Sequence, residues 1–215
     1  IEAEYGSTND DLLAFSADEI HSYKHNEGLE DGPISDILIE NISAESCWSA
    51  VRILSVFSEI SNLTFRNMSV GVRKYGINMD ASRHLDSPIF ANEDFPKGVG
   101  RLKNIVFENV TLWRTDRTFK ENVLDKQGEI PLTVDSFPFY NAMSSGVINL
   151  FGTLGDVTIK NLRRDCQKDC NPAVSFIGFE YLHNTTVTAN GETFTLQGEK
   201  KSLDGDRYDL TIKSN

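Results

Sequence analysis

The chain has 215 residues, 39% hydrophobic and 25% charged, with a formal net charge of −11. That suffices for one domain with its own core and excludes a disordered polymer. No apolar run approaches the roughly 20 residues of a membrane span, and the acidic balance argues against nucleic acid and anionic membrane as partners.

Ile1 is preceded by neither Met nor leader, and strand-like sequence begins almost at once. The expectation is a processed piece of a longer protein, with further chain or a second copy, such as a trimer, at its N-terminal side. The first chemistry-bearing segment is Thr8-Asn9-Asp10-Asp11, leading into the apolar Leu12 to Phe15. Adjacent carboxylates at a strand start face opposite sides. They are either an acid–base pair or an Asp-rich turn.

One pattern then recurs four times, from Asp36 to Ile42, Asn62 to Met68, Asn104 to Val110 and Asp156 to Leu162. An Asp or Asn opens each copy, two apolar residues alternate with variable ones, and an Asn (Asn41, Asn67, Asn109, Asn161) precedes the last apolar residue. Period-2 alternation predicts a strand. Asn tolerates the left-handed conformation of a sharp bend, and stacked copies can hydrogen-bond amide to amide. The repeated Asn residues lie 26, 42 and 52 residues apart, which fits a coil of about 22–28 residues with insertions. The ladder amides are expected to be buried, which would exclude glycans at the Asn-X-Ser/Thr sites Asn41, Asn67 and Asn109; further such sites lie at Asn62 and Asn184.

A second strand series alternates with the first: Leu12 to Phe15, Ala50 to Leu54, Gly76 to Met79, Gly146 to Leu150 and Ala173 to Ile177. Arg52, inside an otherwise apolar strand, must turn its guanidinium outward, near Asp10 or Asp11 if coils stack in register. It reads as a substrate ligand or as an ion-pair partner. Residues 80–100 and 113–145 interrupt the repeat. The second insertion carries Trp113 and Tyr140 among other aromatics, candidates for stacking on sugar rings.

Cys47 reads as a buried small residue, while Cys166 and Cys170 are either a loop-closing disulfide or two thiols. No histidine has a partner at metal spacing, and no metal or cofactor is indicated. Thr185 to Ala189 continues the first series with Ala189 in the Asn slot. The segments Gly191 to Leu196 and Arg207 to Ile212 predict a terminal hairpin.

Together these elements predict an all-β, right-handed parallel β-helix of about five coils over residues 1–190, with a C-terminal hairpin cap over 191–215. The run from Asn9 to Phe15, followed by Ala50 to Leu54 and Ile60 to Asn67, resembles the pectin-lyase-like superfamily. It is most similar to the polygalacturonase-type glycoside hydrolases, whose Gly-Asp-Asp motif precedes an Arg-Ile-Lys motif. Asn9 and Leu54 stand where that family has Gly and Lys. The resemblance covers residues 5–70 at motif level. It implies catalytic carboxylates at Asp10 and Asp11 and a substrate ligand at Arg52. The expected function is action on a cell-wall or capsular polysaccharide, outside the cell or on a virion surface. The alternatives are a phage tailspike or appendage segment and a non-catalytic structural or adhesive solenoid.

Overall fold

The computed structural model describes residues 8, 10–17, 32–55, 58–80, 99–115, 148–151, 153–165, 177–180, 183–198, 201–203 and 205–214. Tyr140, Cys166, Cys170 and most of the two insertions lie outside the described residues. Ten strands are formed: β1 (Leu13–Ser16), β2 (Ile34–Leu54), β3 (Ile60–Asp80), β4 (Val99–Arg114), β5 (Ile148–Phe151), β6 (Thr153–Arg164), β7 (Ile177–Glu180), β8 (His183–Ala189), β9 (Glu192–Gln197) and β10 (Arg207–Ser214). No helix is present among the described residues. They build one sheet in the order β1-β2-β3-β4-β6-β10-β8-β9, with β5 pairing β3 and β7.

Parallel stacking follows from the repeat. Ile37, Leu63, Ile105 and Val157 lie in one register column, and Ile39, Phe65, Phe107 and Ile159 in the next. Leu63, Phe65, Ile105, Phe107 and Ile159 are wholly buried. Phe65 and Phe107 stack with centroids 4.6 Å apart, and Phe15 meets Phe65 edge-on at 5.5 Å. Apolar side chains meet at every rung because the copies pair in register. The second strand series forms its own column, from β1 through residues 51–54 and 77–80 to β5 and β7. Its last described strand is Ile177–Glu180, and residues 173–176 of the expected strand lie outside the described residues.

Asparagine sets the bends. Asn41, Asn67, Asn109 and Asn161 have φ between 53° and 59°, where a β-carbon is costly and Asn is tolerated. Each later member donates its amide Nδ2 to Oδ1 of the one before, at 3.2, 3.2 and 3.0 Å. The opening residue of the repeat makes a second ladder. Asp36, Asn62 and Asn104 have φ of 60°, 54° and 52°, and Asn62 and Asn104 donate to the preceding member at 2.9 and 3.0 Å. These asparagines are exposed, which corrects the expectation of buried amides. The bends are the surface corners of each rung.

Between the two ladders the outward positions alternate in charge: Glu40, Arg66, Glu108, Lys160. Arg66 bonds Glu40 at 2.7 Å and Glu108 at 3.0 Å, and Lys160 reaches Glu108 at 3.4 Å. The Arg66 and Lys160 contacts hold the Glu108 carboxyl below its usual range. An alternating column favours one stacking order over like-charge pairings.

The C-terminal end differs from the expected hairpin. Glu192–Gln197 pairs with His183–Ala189, not with the last strand. β10 instead inserts antiparallel between β6 and β8, aligning Ile212 with both Val157 and Val187. The segment Thr185 to Ala189 therefore does not stack directly on the preceding repeat. Asp209 takes over the ladder position: its Oδ1 accepts from the Asn161 backbone N–H at 2.7 Å, and its own N–H donates to Asn190 Oδ1 at 2.8 Å.

Asn67 bonds a neighbour on each side, so Asn67→Ala removes two hydrogen bonds and places a β-branchless but unsuited side chain at positive φ. The expected loss is about 2–5 kcal/mol, summing about 0.5–1.5 kcal/mol for each of the two bonds and about 1–2 kcal/mol for the left-handed conformation. Asn67→Gly keeps the conformation and is expected to lose only the hydrogen-bond part. Urea unfolding of the three proteins measures both, and equal losses in the two variants would remove the conformational explanation.

Candidate functional site

The N-terminal segment lies along the edge of the second strand series as a further parallel rung. Thr8 N–H donates to Ser46 O at 2.9 Å, Trp48 N–H to Asp10 O at 3.0 Å, and Leu12 N–H to Ser49 O at 2.9 Å. These bonds carry Asp10 and Asp11 across the corner of β2, and β1 then pairs Ala14 with Arg52 and Arg52 pairs with Asn78.

The two carboxylates are in different surroundings. Asp10 is exposed, and its Oδ1 accepts from the Asp11 backbone N–H at 2.9 Å. Asp11 is half-buried. Its Oδ1 is closed to solvent and has no hydrogen-bond partner, and the buried hydroxyls of Ser46 and Ser49 share that condition. Burial pushes the Asp11 carboxyl above its ordinary 3.8, and the charge of Asp10 adds to this. The Ser49 hydroxyl, close but without a well-formed hydrogen bond, pulls the other way with Arg52 and Lys74. Desolvation wins because the opposing charges act across a polar corner and not in direct contact.

The rest of the corner is cationic and aromatic. Arg73 Nη2 donates to Thr8 O at 3.0 Å, pinning the N-terminal rung from two strands away. Lys74 Nζ lies 4.9 Å from the Trp48 ring and 4.8 Å from the Tyr75 ring, a cation held between two π faces. Cys47, beneath them, donates its thiol to Gly71 O at 3.3 Å. Burial pushes that thiol up to about 12, so it is a core group and not a nucleophile.

Of the residues expected from sequence, Asp11 and Arg52 come within electrostatic reach of each other, with Asp10 adjacent. Trp113 stands on the same corner but three strands along the stack, about 14 Å at a strand spacing of about 4.8 Å. It pairs with Gly71 in register. A β-carbon at Gly71 would lie 2.7 Å from Trp113 Nε1 and 2.0 Å from Glu45 O, so glycine is what lets the indole and the Glu45 carbonyl approach. Tyr140 lies outside the described residues.

Ser49, Trp48, Lys74 and Tyr75 were not singled out from sequence. The signal was available: aligning Val51 with Ile77, as the second strand series does, sets Ser49 beside Tyr75 and brings Trp48 next to Lys74. Among the described residues no group of three or more His, Cys, Asp or Glu could hold a metal ion, and no helix is long and apolar enough to cross a membrane. No protein-family model, curated protein or solved structure matches the chain.

The raised Asp11 pKa has a stability consequence of fixed sign. The folded state penalises ionisation, so the group's contribution is complete below the unfolded value of 3.8 and is lost as pH rises through the raised folded value. Asp11→Asn cannot ionise. Its melting temperature relative to wild type is therefore expected to be more favourable at pH 7 than at pH 3. A thermal-melt series across that range tests this, and a difference independent of pH would refute it.

Proposed function

We propose that the chain is a right-handed parallel β-helix of the pectin-lyase-like kind, with about five coils, and that it cleaves a polysaccharide as polygalacturonase-type glycoside hydrolases do. In-register parallel stacking and the two corner ladders support the architecture. The observation that carries the function is the Asp11 carboxyl, half-buried, with its pKa raised, beside an exposed Asp10 and within reach of Arg52 and Lys74.

The chemistry follows from that contrast. A carboxyl kept protonated by burial can donate its proton to the glycosidic oxygen as the bond to the anomeric carbon breaks. An ionised neighbour accepts a proton from the water that attacks the anomeric carbon. Asp11 suits the first role. Asp10, exposed and adjacent to Asp11, is placed for the second. Arg52 and Lys74 provide positive charge in a chain of net charge −11, which favours a polymer bearing carboxylate or sulfate groups, such as a cell-wall or capsular glycan. Trp48 and Trp113, both partly exposed, provide ring faces along the same corner.

A second reading, glycan binding without cleavage, is favoured by one specific observation. Among the described residues the groups from adjoining rungs that act on Asp11 are Ser49, Arg52 and Lys74, with no third carboxylate. Reducing-end assays on a panel of acidic and neutral polysaccharides separate the two readings. For hydrolysis, Asp11→Asn and Asp10→Asn each lower turnover at least about 100-fold, the usual scale of general acid–base catalysis, while polymer affinity is largely kept. Unchanged turnover in both variants refutes it. For binding alone, the wild type is retained on the polymer without cleaving it, and Arg52→Ala and Lys74→Ala weaken retention.

A further inference from the structure

Five Asn-X-Ser/Thr sequons occur in the described residues, at Asn41, Asn62, Asn67, Asn109 and Asn184. All five asparagines are exposed and all have positive φ, between 54° and 59°. Neither accessibility nor backbone shape separates them.

The amide nitrogen does. N-glycosylation joins Nδ2 to the anomeric carbon of a lipid-diphosphate-linked oligosaccharide, releasing the lipid diphosphate and one amide proton. Asn62 donates its Nδ2 to Asp36 Oδ1 at 2.9 Å, Asn67 to Asn41 at 3.2 Å, and Asn109 to Asn67 at 3.2 Å. A sugar on any of these nitrogens would have to fit between amides stacked one strand spacing apart, about 4.8 Å. The Asp36 carboxylate lies below the usual range, with the Ser35 hydroxyl and the Asn62 amide as its hydrogen-bond donors. Ionised, it can only accept, which fixes the donor direction in its ladder.

Asn41 and Asn184 differ. Asn41 is the first described member of its ladder: its Oδ1 accepts from Asn67, and its Nδ2 donates to nothing among the described residues. Asn184 Oδ1 accepts from Gln197 Nε2 at 3.2 Å, and its Nδ2 is likewise unengaged. In both, the residue is exposed and the bond that secures the side chain uses the oxygen, not the nitrogen. We infer that Asn41 and Asn184 are the N-glycan acceptor sites of this fold, and that Asn62, Asn67 and Asn109 are closed to the modification by their ladders. The inference stands on hydrogen-bond direction alone and is independent of the proposed catalysis.

The test is secretion of the full chain from a eukaryotic host behind a cleavable leader, with glycopeptide mass spectrometry of the soluble protein. Occupancy at Asn41 and Asn184, with Asn62, Asn67 and Asn109 unmodified, is expected. Soluble protein carrying glycan at any of those three, or bare at both Asn41 and Asn184, overturns the inference. If the wild type is retained insoluble, the triple variant Thr64→Ala/Ser69→Ala/Thr111→Ala, which deletes the three ladder sequons, is expected to restore soluble protein with two glycans. Failure of that variant to do so also overturns it.

Discussion

Everything in this molecule hangs on asparagine held in the left-handed region at the same place in every rung. The conformation turns the strand sharply, and the side chain that tolerates it also bonds to its counterpart above and below. Bend and register are therefore one constraint. Once Asn41, Asn67, Asn109 and Asn161 are aligned, the apolar columns through Ile39, Phe65, Phe107 and Ile159 are aligned too. A one-residue slip would break the ladder and turn the core side chains outward together. The charge column through Glu40, Arg66, Glu108 and Lys160 reinforces the same alignment from the solvent side. Exposed ion pairs of this kind contribute little individually, and their value here is in specifying order.

A stack of parallel strands must also end, because an open edge invites pairing with other chains. The C-terminal segment does this by reversal. β10 enters antiparallel between β6 and β8, and Asp209 substitutes for the next ladder asparagine while capturing the Asn161 N–H. An aspartate cannot donate onward, so the amide-to-amide relay stops there and passes through backbone N–H groups to Asn190. Chemistry at one residue thus converts a parallel repeat into an antiparallel finish.

The repeat and its corner asparagine were legible because both recur at fixed spacing in sequence. The second ladder was less so. Its opening slot accepts Asp or Asn, and Asn184 holds that slot in a strand whose sequence reading began one residue later, at Thr185. The direction of the last strands was not legible at all, since alternation of apolar and polar residues is the same in parallel and antiparallel strands. Ile212 aligns its side with Val157 and Val187 in either sense. At the candidate site, Asp10, Asp11 and Arg52 could be brought together by counting strands. Ser49, Trp48, Lys74 and Tyr75 carry no repeated motif of their own, and only the alignment of Val51 with Ile77 could have paired them.

That stretch is where the ladder logic lapses. Between β2 and β3 the register shifts on both sides of Cys47, from Ala44 to Cys47 and again from Cys47 to Ser49. The two irregularities cancel, so the strands beyond them return to step. Within the irregular interval, side chains are freed from the rule that each column repeats one residue type. The buried hydroxyls of Ser46 and Ser49 and the Oδ1 of Asp11 gather there without hydrogen-bond partners. A bulged corner costs pairing and admits unmatched polarity, and unmatched buried polarity is what raises the Asp11 pKa. The same irregularity that interrupts the architecture therefore makes a carboxyl with altered acidity possible, within reach of Arg52 and Lys74.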